Sequence, residues 1–316
     1  MQALKYLWYR TQWNMRPKLK WAGRAPLHVD MELTNKCNFK CSFCHQATNW
    51  LERGDRQEAS WHLIKLVIKQ CRDLGVPSMK FNWRGEPLIH GQCERAIRVA
   101  KNQGIMEVQL NTNASLLDGK HAEDIIASRL DRLIVSCDSA DRDTYNRLRR
   151  GGDFDKFVNN LRMFRAKCDE AKSVGKKVPR VRMNVAVQSA NCGELERIEE
   201  FFGDLVDEFR YNEIYNPMRS IDGGESRVGR KRGCPQIYQR LIVSAEGDII
   251  PCCVDYKKMV TLGNILSGTT LGQAWRKCDY IRRAHEKHKA RAIASCGVCD
   301  NFALSELDAT GRVIWR

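Results

Sequence analysis

Two hydropathy periods alternate along this chain. Apolar-rich runs with strand character fall at 27–34, 78–83, 106–111, 132–137, 180–187 and 208–215, which predicts six strands. Between them, apolar residues recur at helical spacing over 60–74, 90–104, 119–130, 154–170 and 193–207, which predicts helices. Regular strand–helix alternation implies a parallel sheet with right-handed crossovers and helices outside. Ligand sites in such a sheet lie at the carboxyl ends of the strands. Six units are too few to close an eight-stranded barrel.

The pattern changes at both ends. Residues 1–26 form an extension with Tyr6, Trp8, Tyr9, Trp13 and Trp21 set among basic residues; over 1–27 there are six Lys or Arg and no Asp or Glu. That composition suits a nucleic-acid or membrane-surface arm, but the preferred reading is an extension that packs its aromatics on the core. The extension is too short to be a separate peptide-binding domain. The alternating units occupy 27–217. Residues 218–233, with Gly223-Gly224 and Arg227, Arg230, Lys231 and Arg232, lack periodicity and read as a linker. From 234 to 316 the chain predicts a small domain. It begins with a hairpin about the turn Ala245-Glu246-Gly247-Asp248 and continues with a helical stretch at 269–285.

Composition narrows the class. The chain has 316 residues, 43% hydrophobic and 29% charged, as in a soluble globular protein with one large core and a small appendage. No apolar run approaches the roughly 20 residues of a membrane helix, and no signal-peptide core opens the chain. The expected location is therefore cytoplasmic, where fourteen cysteines read as metal or redox ligands rather than disulfides. The net charge of +15 favours an acidic partner: nucleic acid, an anionic small substrate, or an acidic electron donor such as flavodoxin. Charge alone does not choose among them.

Candidate chemistry begins at Cys37-Asn38-Phe39-Lys40-Cys41-Ser42-Phe43-Cys44, which follows the first predicted strand. Three thiolates at this spacing can hold three corners of a cubane iron–sulfur cluster and leave the fourth iron open to a ligand. The alternatives are a zinc knuckle and a chance grouping of structural thiols. His45 is poorly placed to close a zinc tetrahedron beside Cys44. A second group comprises Cys234, Cys252, Cys253, Cys296 and Cys299, set around the hairpin. Two distant cysteines plus a C-x-x-C pair suit zinc or iron–sulfur.

The C-x3-C-x2-C loop with an aromatic before its third cysteine resembles the signature of the radical S-adenosylmethionine (radical SAM) enzymes. The resemblance implies a partial (β/α)6 TIM-like barrel with a small C-terminal hairpin and helix iron–sulfur domain, an α/β fold. It implies that Cys37, Cys41 and Cys44 ligate a [4Fe–4S] cluster whose open iron binds SAM, with the Phe43 backbone against adenine. After the second strand, Arg84-Gly85-Glu86-Pro87 resembles the family's GGEP motif, with Arg84 in place of its first glycine. Gly85 and Glu86 are then expected at the SAM amino group. Asn111, Asn113, Ser136 and Asp138, at the next strand ends, are expected near ribose, methionine or substrate. They are equally ordinary turn and cap residues. The arginines of 141–152 are expected at the SAM carboxylate, at a substrate phosphate or in solvent.

The second group resembles the SPASM domain in its shortened, twitch-like form, because position 305 is serine and no cysteine follows. That implies one auxiliary [4Fe–4S] cluster on Cys234, Cys252, Cys296 and Cys299, with Cys253 free beside it. The implied activity is reductive SAM cleavage to a 5′-deoxyadenosyl radical that abstracts a substrate hydrogen. The preferred outcome is epimerisation or oxidation of a C–H centre in a small polar substrate of sugar, aminocyclitol or nucleotide type. In the epimerase case Cys253 is the expected hydrogen donor. Peptide modification is the next reading. A non-catalytic iron–sulfur, nucleic-acid-binding protein is the rival from another class, and it leaves the Arg84–Pro87 turn and the open-site spacing unexplained.

Overall fold

A computed structural model of the chain describes residues 2–44, 56–213, 234–297, 299, 306–307 and 313–314. The expected linker, His45 and Ser305 lie outside these residues. In chain order come α1 (Gln2–Lys18), β1 (His28–Met31), α2 (Trp61–Asp73), β2 (Ser78–Phe81), α3 (Cys93–Asn102), β3 (Glu107–Thr112) and α4 (Gly119–Ala127). Next are β4 (Arg132–Ser136), α5 (Arg142–Leu148), α6 (Phe154–Ser173), β5 (Arg180–Val187), α7 (Leu195–Phe202) and β6 (Glu208–Glu213). The remaining elements are β7 (Arg240–Val243), β8 (Asp248–Ile250), β9 (Gly263–Asn264), α8 (Leu271–Lys277), α9 (Asp279–Glu286), α10 (Ala294–Gly297) and the paired β10 (Glu306–Leu307) and β11 (Val313–Ile314).

Two compact units result: Asp30–Ile214 with Val243–Gly247, and Met1–Val29 with Tyr215–Ile242 and Asp248–Arg316. In the larger unit the sheet order is β6-β5-β4-β3-β2-β1, and every pair from β2 to β6 is parallel. Strand residues such as Phe81, Leu110, Val135 and Met183 are fully buried, as are helix residues Leu63, Ile97, Ile125 and Phe164. Burial of both partners is what parallel sheets covered by helices require. Phe81 pairs with Leu110, Thr112 with Val135, and Ser136 with Asn184. That register lines up the residues after β2, β3 and β4 along one edge.

Capping side chains start the crossover helices. Ser60, Asp118, Asp141 and Asp153 accept backbone N–H groups of α2, α4, α5 and α6 respectively, satisfying donors that a helix start leaves unpaired. Two elements differ from the hydropathy reading. Residues 2–18, to which the hydropathy pattern assigns no element, form helix α1. The stretch expected as one helix at 269–285 breaks at Cys278 into α8 and α9. Arg282 offsets the break by donating to the Trp275 carbonyl at 3.0 Å and to that of Ile237 at 2.9 Å.

Candidate functional site

The cysteine loop is held from two sides. On one side lies the turn after β2: the Glu86 N–H donates to the Lys36 carbonyl at 2.8 Å. A Cβ on Gly85 would stand 2.2 Å from the Thr34 carbonyl oxygen and 2.5 Å from that of Lys36. Glycine is thus required because the loop leading into Cys37 lies against it. On the other side is the end of α5. The Ser42 N–H donates to Leu148 O at 2.9 Å and the Lys40 N–H to Arg150 O at 2.7 Å. Terminal helix carbonyls lack intrahelical donors, and the cysteine loop supplies them. Gly151, at φ +88°, leaves room for Asn38 and Phe39.

Cys37, Cys41 and Cys44 are half-buried on this loop. Burial pushes the Cys37 thiol up to about 12, reinforced by the negative charge of Glu86, Cys41 and Cys44. Burial likewise raises Cys41 to about 11, against the pull of Arg149. Such thiols ionise readily only beside a cation such as iron. Among the described residues, no three His, Cys, Asp or Glu side chains converge on one ion position. A zinc ion with bonds of about 2.3 Å would hold its sulfurs about 3.8 Å apart, whereas cluster cysteines each serve a different iron and stand further apart. Three thiols on one short loop beside a buried guanidinium are a donor set that fits an iron–sulfur cluster.

The neighbouring polar groups form one buried network. Glu86 accepts the Leu88 N–H (3.1 Å) and the Thr112 hydroxyl (2.7 Å) on Oε1, and the Asn113 N–H (2.7 Å) on Oε2. Burial raises its carboxyl to about 7 in spite of these donors. Oε2 keeps acceptor capacity for one further cation. The Asn113 amide donates to Asn38 Oδ1 at 2.9 Å and accepts from Ser115, so its side chain holds the cysteine loop. Asn111 donates to Ser136 Oγ at 3.4 Å. Asp138, fully buried, accepts the Ala186 N–H and lies 2.8 Å from Arg149 Nε. That pair is in contact without hydrogen-bond alignment, leaving both atoms with bonding capacity. Arg149 also lies over the Phe43 ring at 5.7 Å, which sets a buried cation beside the cysteines.

The second cysteine group belongs to the smaller unit. Cys234, Cys252, Cys296 and Cys299 line one cavity there, together with apolar residues such as Ile237 and Ile281 and the imidazole of His285. Burial pushes Cys234 up to about 12 and raises Cys296 further. Four sulfurs around an apolar cavity fit a fully ligated cluster. Cys253 does not line the cavity; its Sγ donates to Gln236 Oε1 at 4.0 Å. His285 is buried, and burial lowers it to about 4. Its Nδ1 accepts the Cys234 N–H at 3.4 Å, which puts the proton of the neutral ring on Nε2, 3.4 Å from Cys296 Sγ.

The fold brings Cys37, Cys41 and Cys44 beside the Arg84–Pro87 turn at one edge of the sheet. Asn113, Ser136 and Asp138 are there too, bonded into the protein. Asn38 and His285 went unnoticed in the sequence. Asn38 lies inside the cysteine motif at an unconstrained position. His285 gave a weak signal, a lone histidine on a helix between the two halves of a cysteine set.

The profile of the radical SAM superfamily matches residues 31–175, and that of the SPASM iron–sulfur cluster-binding domain matches 234–300. A probable GTP 3′,8-cyclase of Methanocella arvoryzae is 31% identical over 228 residues, 69% of each chain. BtrN in complex with AdoMet and 2-DOIA superposes with a TM-score of 0.57 at 16% identity, over 87% of this chain and 91% of that one. For anSMEcpe with bound AdoMet the TM-score is 0.63 at 16% identity, over 87% and 88%. The fold is therefore a partial (β/α)6 barrel with a small cysteine-bearing domain. The cofactors are a SAM-binding [4Fe–4S] cluster and an auxiliary iron–sulfur cluster. The chain belongs to the radical SAM superfamily and carries a C-terminal SPASM domain.

Proposed function

We propose that this radical SAM enzyme removes a hydrogen atom from a C–H bond of a small polar substrate, which it then epimerises or oxidises. Cys37, Cys41 and Cys44 hold the SAM-binding cluster, and Cys234, Cys252, Cys296 and Cys299 hold the auxiliary one. When bound, cluster and SAM supply a 5′-deoxyadenosyl radical. Glu86 Oε2 accepts from the SAM ammonium, and Arg149 counters the negative charge of the thiolates. Asn113, through Asn38, and the end of α5 fix the cysteine loop. An acidic one-electron donor such as flavodoxin matches the charge of +15.

The observation that carries the reading is the fifth cysteine. Cys253 stands next to a cavity lined by four others yet outside that lining, where its thiol lies 4.0 Å from Gln236 Oε1 and hydrogen-bonds with Cys252. In epimerisation, that thiol returns a hydrogen atom to the opposite face of the substrate carbon. The sulfur then regains one electron from the donor and one proton from water. In oxidation, the substrate loses a second electron and a proton instead, and Cys253 is not needed.

The test incubates reconstituted protein, SAM and dithionite with a low-molecular-weight cell extract in deuterated water. A SAM-dependent product carrying one deuterium, lost in Cys253→Ala, supports epimerisation. A product lighter by two hydrogens, formed equally by Cys253→Ala, supports oxidation. No SAM-dependent change in any small molecule would refute the proposal. A second reading, radical cyclisation of a purine nucleotide, is favoured by the similarity to GTP 3′,8-cyclases. GTP as sole substrate would then be consumed and stimulate 5′-deoxyadenosine formation.

A further inference from the structure

Helix α1 turns an apolar face outward. Leu4 is 71% exposed, Leu7 61%, Trp8 60% and Leu19 62%, with Met15 and Trp21 also exposed. At 100° per residue, Leu4, Leu7, Trp8, Thr11, Met15 and Leu19 fall on one stripe about 120° wide. Leu19 continues the helical path, since its N–H donates to Met15 O at 2.9 Å. Among the described residues, six of the eleven exposed large hydrophobic side chains lie between residues 4 and 21. Scattered exposed leucines need no explanation, but a contiguous stripe marks an interaction surface.

The opposite face of α1 is anchored. Tyr9 is buried and stacks edge-on with Tyr6 and Trp13, and Trp13 packs against His28. The Trp13 carbonyl accepts from Gln239 at 2.8 Å. The Arg16 guanidinium donates to the carbonyls of Ala22 and Ala25 and to Gln12. The helix is therefore fixed by one side, and its stripe is not a packing face turned the wrong way.

Charge selects the occupant. Lys5, Arg10, Lys18, Lys20 and Arg24 are all exposed, and residues 1–27 contain no acid. A second copy of the same helix would bring like charges together. A nucleic-acid surface offers no apolar bed for leucines. An anionic bilayer interface accepts leucine and tryptophan into its acyl boundary while lysine and arginine meet its headgroups. No helix among the described residues is long and apolar enough to cross a membrane, so α1 would lie on the surface.

We propose that α1 docks this protein on an anionic lipid surface through Leu4, Leu7, Trp8, Met15 and Leu19, with the flanking cations at the headgroups. This docking is independent of the reaction proposed above. The experiment uses full-length reconstituted protein with vesicles of phosphatidylcholine alone or mixed with phosphatidylglycerol. The protein should co-sediment with the mixed vesicles only, more weakly as salt rises, and its tryptophan emission should be quenched by brominated lipid. Leu4→Ser/Leu7→Ser/Leu19→Ser touches only exposed side chains. It should leave circular dichroism unchanged and weaken vesicle binding on the order of a hundredfold. Lys5→Glu/Lys18→Glu should lose the preference for anionic lipid. Absence of binding to the mixed vesicles, or equal binding by the serine variant, would overturn the proposal. So would concentration-dependent self-association without vesicle binding, which makes a second copy the occupant.

Discussion

Arg84 grips Glu32 in a bidentate pair, Nε to Oε1 at 2.8 Å and Nη2 to Oε2 at 2.7 Å, with both side chains essentially out of solvent. The same guanidinium reaches Glu246 at 3.3 Å, and Glu32 also accepts the Ala245 N–H at 2.9 Å. Arg84 stands where the GGEP motif has its first glycine. Its side chain ties the turn after β2 to the residue following β1 and to segment 243–247. Removing one partner of a buried pair leaves an uncompensated charge, which costs about 3–5 kcal/mol. Arg84→Ala should therefore lower unfolding stability by that amount in denaturant titration. Arg84→Ala/Glu32→Gln should recover part of the loss.

Gly85→Ala places a methyl group where the Thr34 and Lys36 carbonyls already are. The cysteine loop must move. Wild-type protein with both clusters should hold about eight irons per chain, and this variant about four. Its remaining iron should be sensitive to Cys296→Ala/Cys299→Ala and insensitive to changes at Cys37.

Glu86 carries a pH signature. Its carboxyl is raised to about 7, so it is neutral below that pH and charged above it. In the proposed site the SAM ammonium pairs with the charged form. SAM affinity should therefore rise as pH increases through about 7, as read by equilibrium binding to reconstituted protein. A charge-assisted bond contributes about 1.5–3 kcal/mol, so Glu86→Gln should weaken binding about ten- to a hundredfold above pH 7 and flatten the profile.

His285 should tune the auxiliary cluster. A hydrogen bond to a ligating sulfur stabilises the reduced, more negative state. Redox titration of His285→Phe should place that cluster at a lower potential, with iron content and the potential of the first cluster unchanged. An unchanged auxiliary potential would remove Nε2 from this role.

The barrel was legible because its strands and helices impose two clean hydropathy periods. Helix α5 was not, since Arg142–Leu148 is mostly polar and rests on the Asp141 cap and on burial of Thr144, Tyr145 and Leu148. Helix α1 was hidden because apolar residues occupy both of its faces. The candidate cysteine ligands stand out by spacing. The groups that position them do not: Glu32 lies 52 residues before Arg84, and Asn38 lies 75 before Asn113. Such contacts depend on strand order, which no local pattern encodes.

The central claim is that Cys37, Cys41 and Cys44 carry SAM cleavage while the second cysteine group serves another step. Measuring 5′-deoxyadenosine after anaerobic reconstitution with SAM and dithionite tests it directly. Wild-type protein and Cys296→Ala/Cys299→Ala should both form it, and Cys37→Ala/Cys41→Ala/Cys44→Ala should form none. Formation by the triple variant, or none by the wild type, would contradict the account.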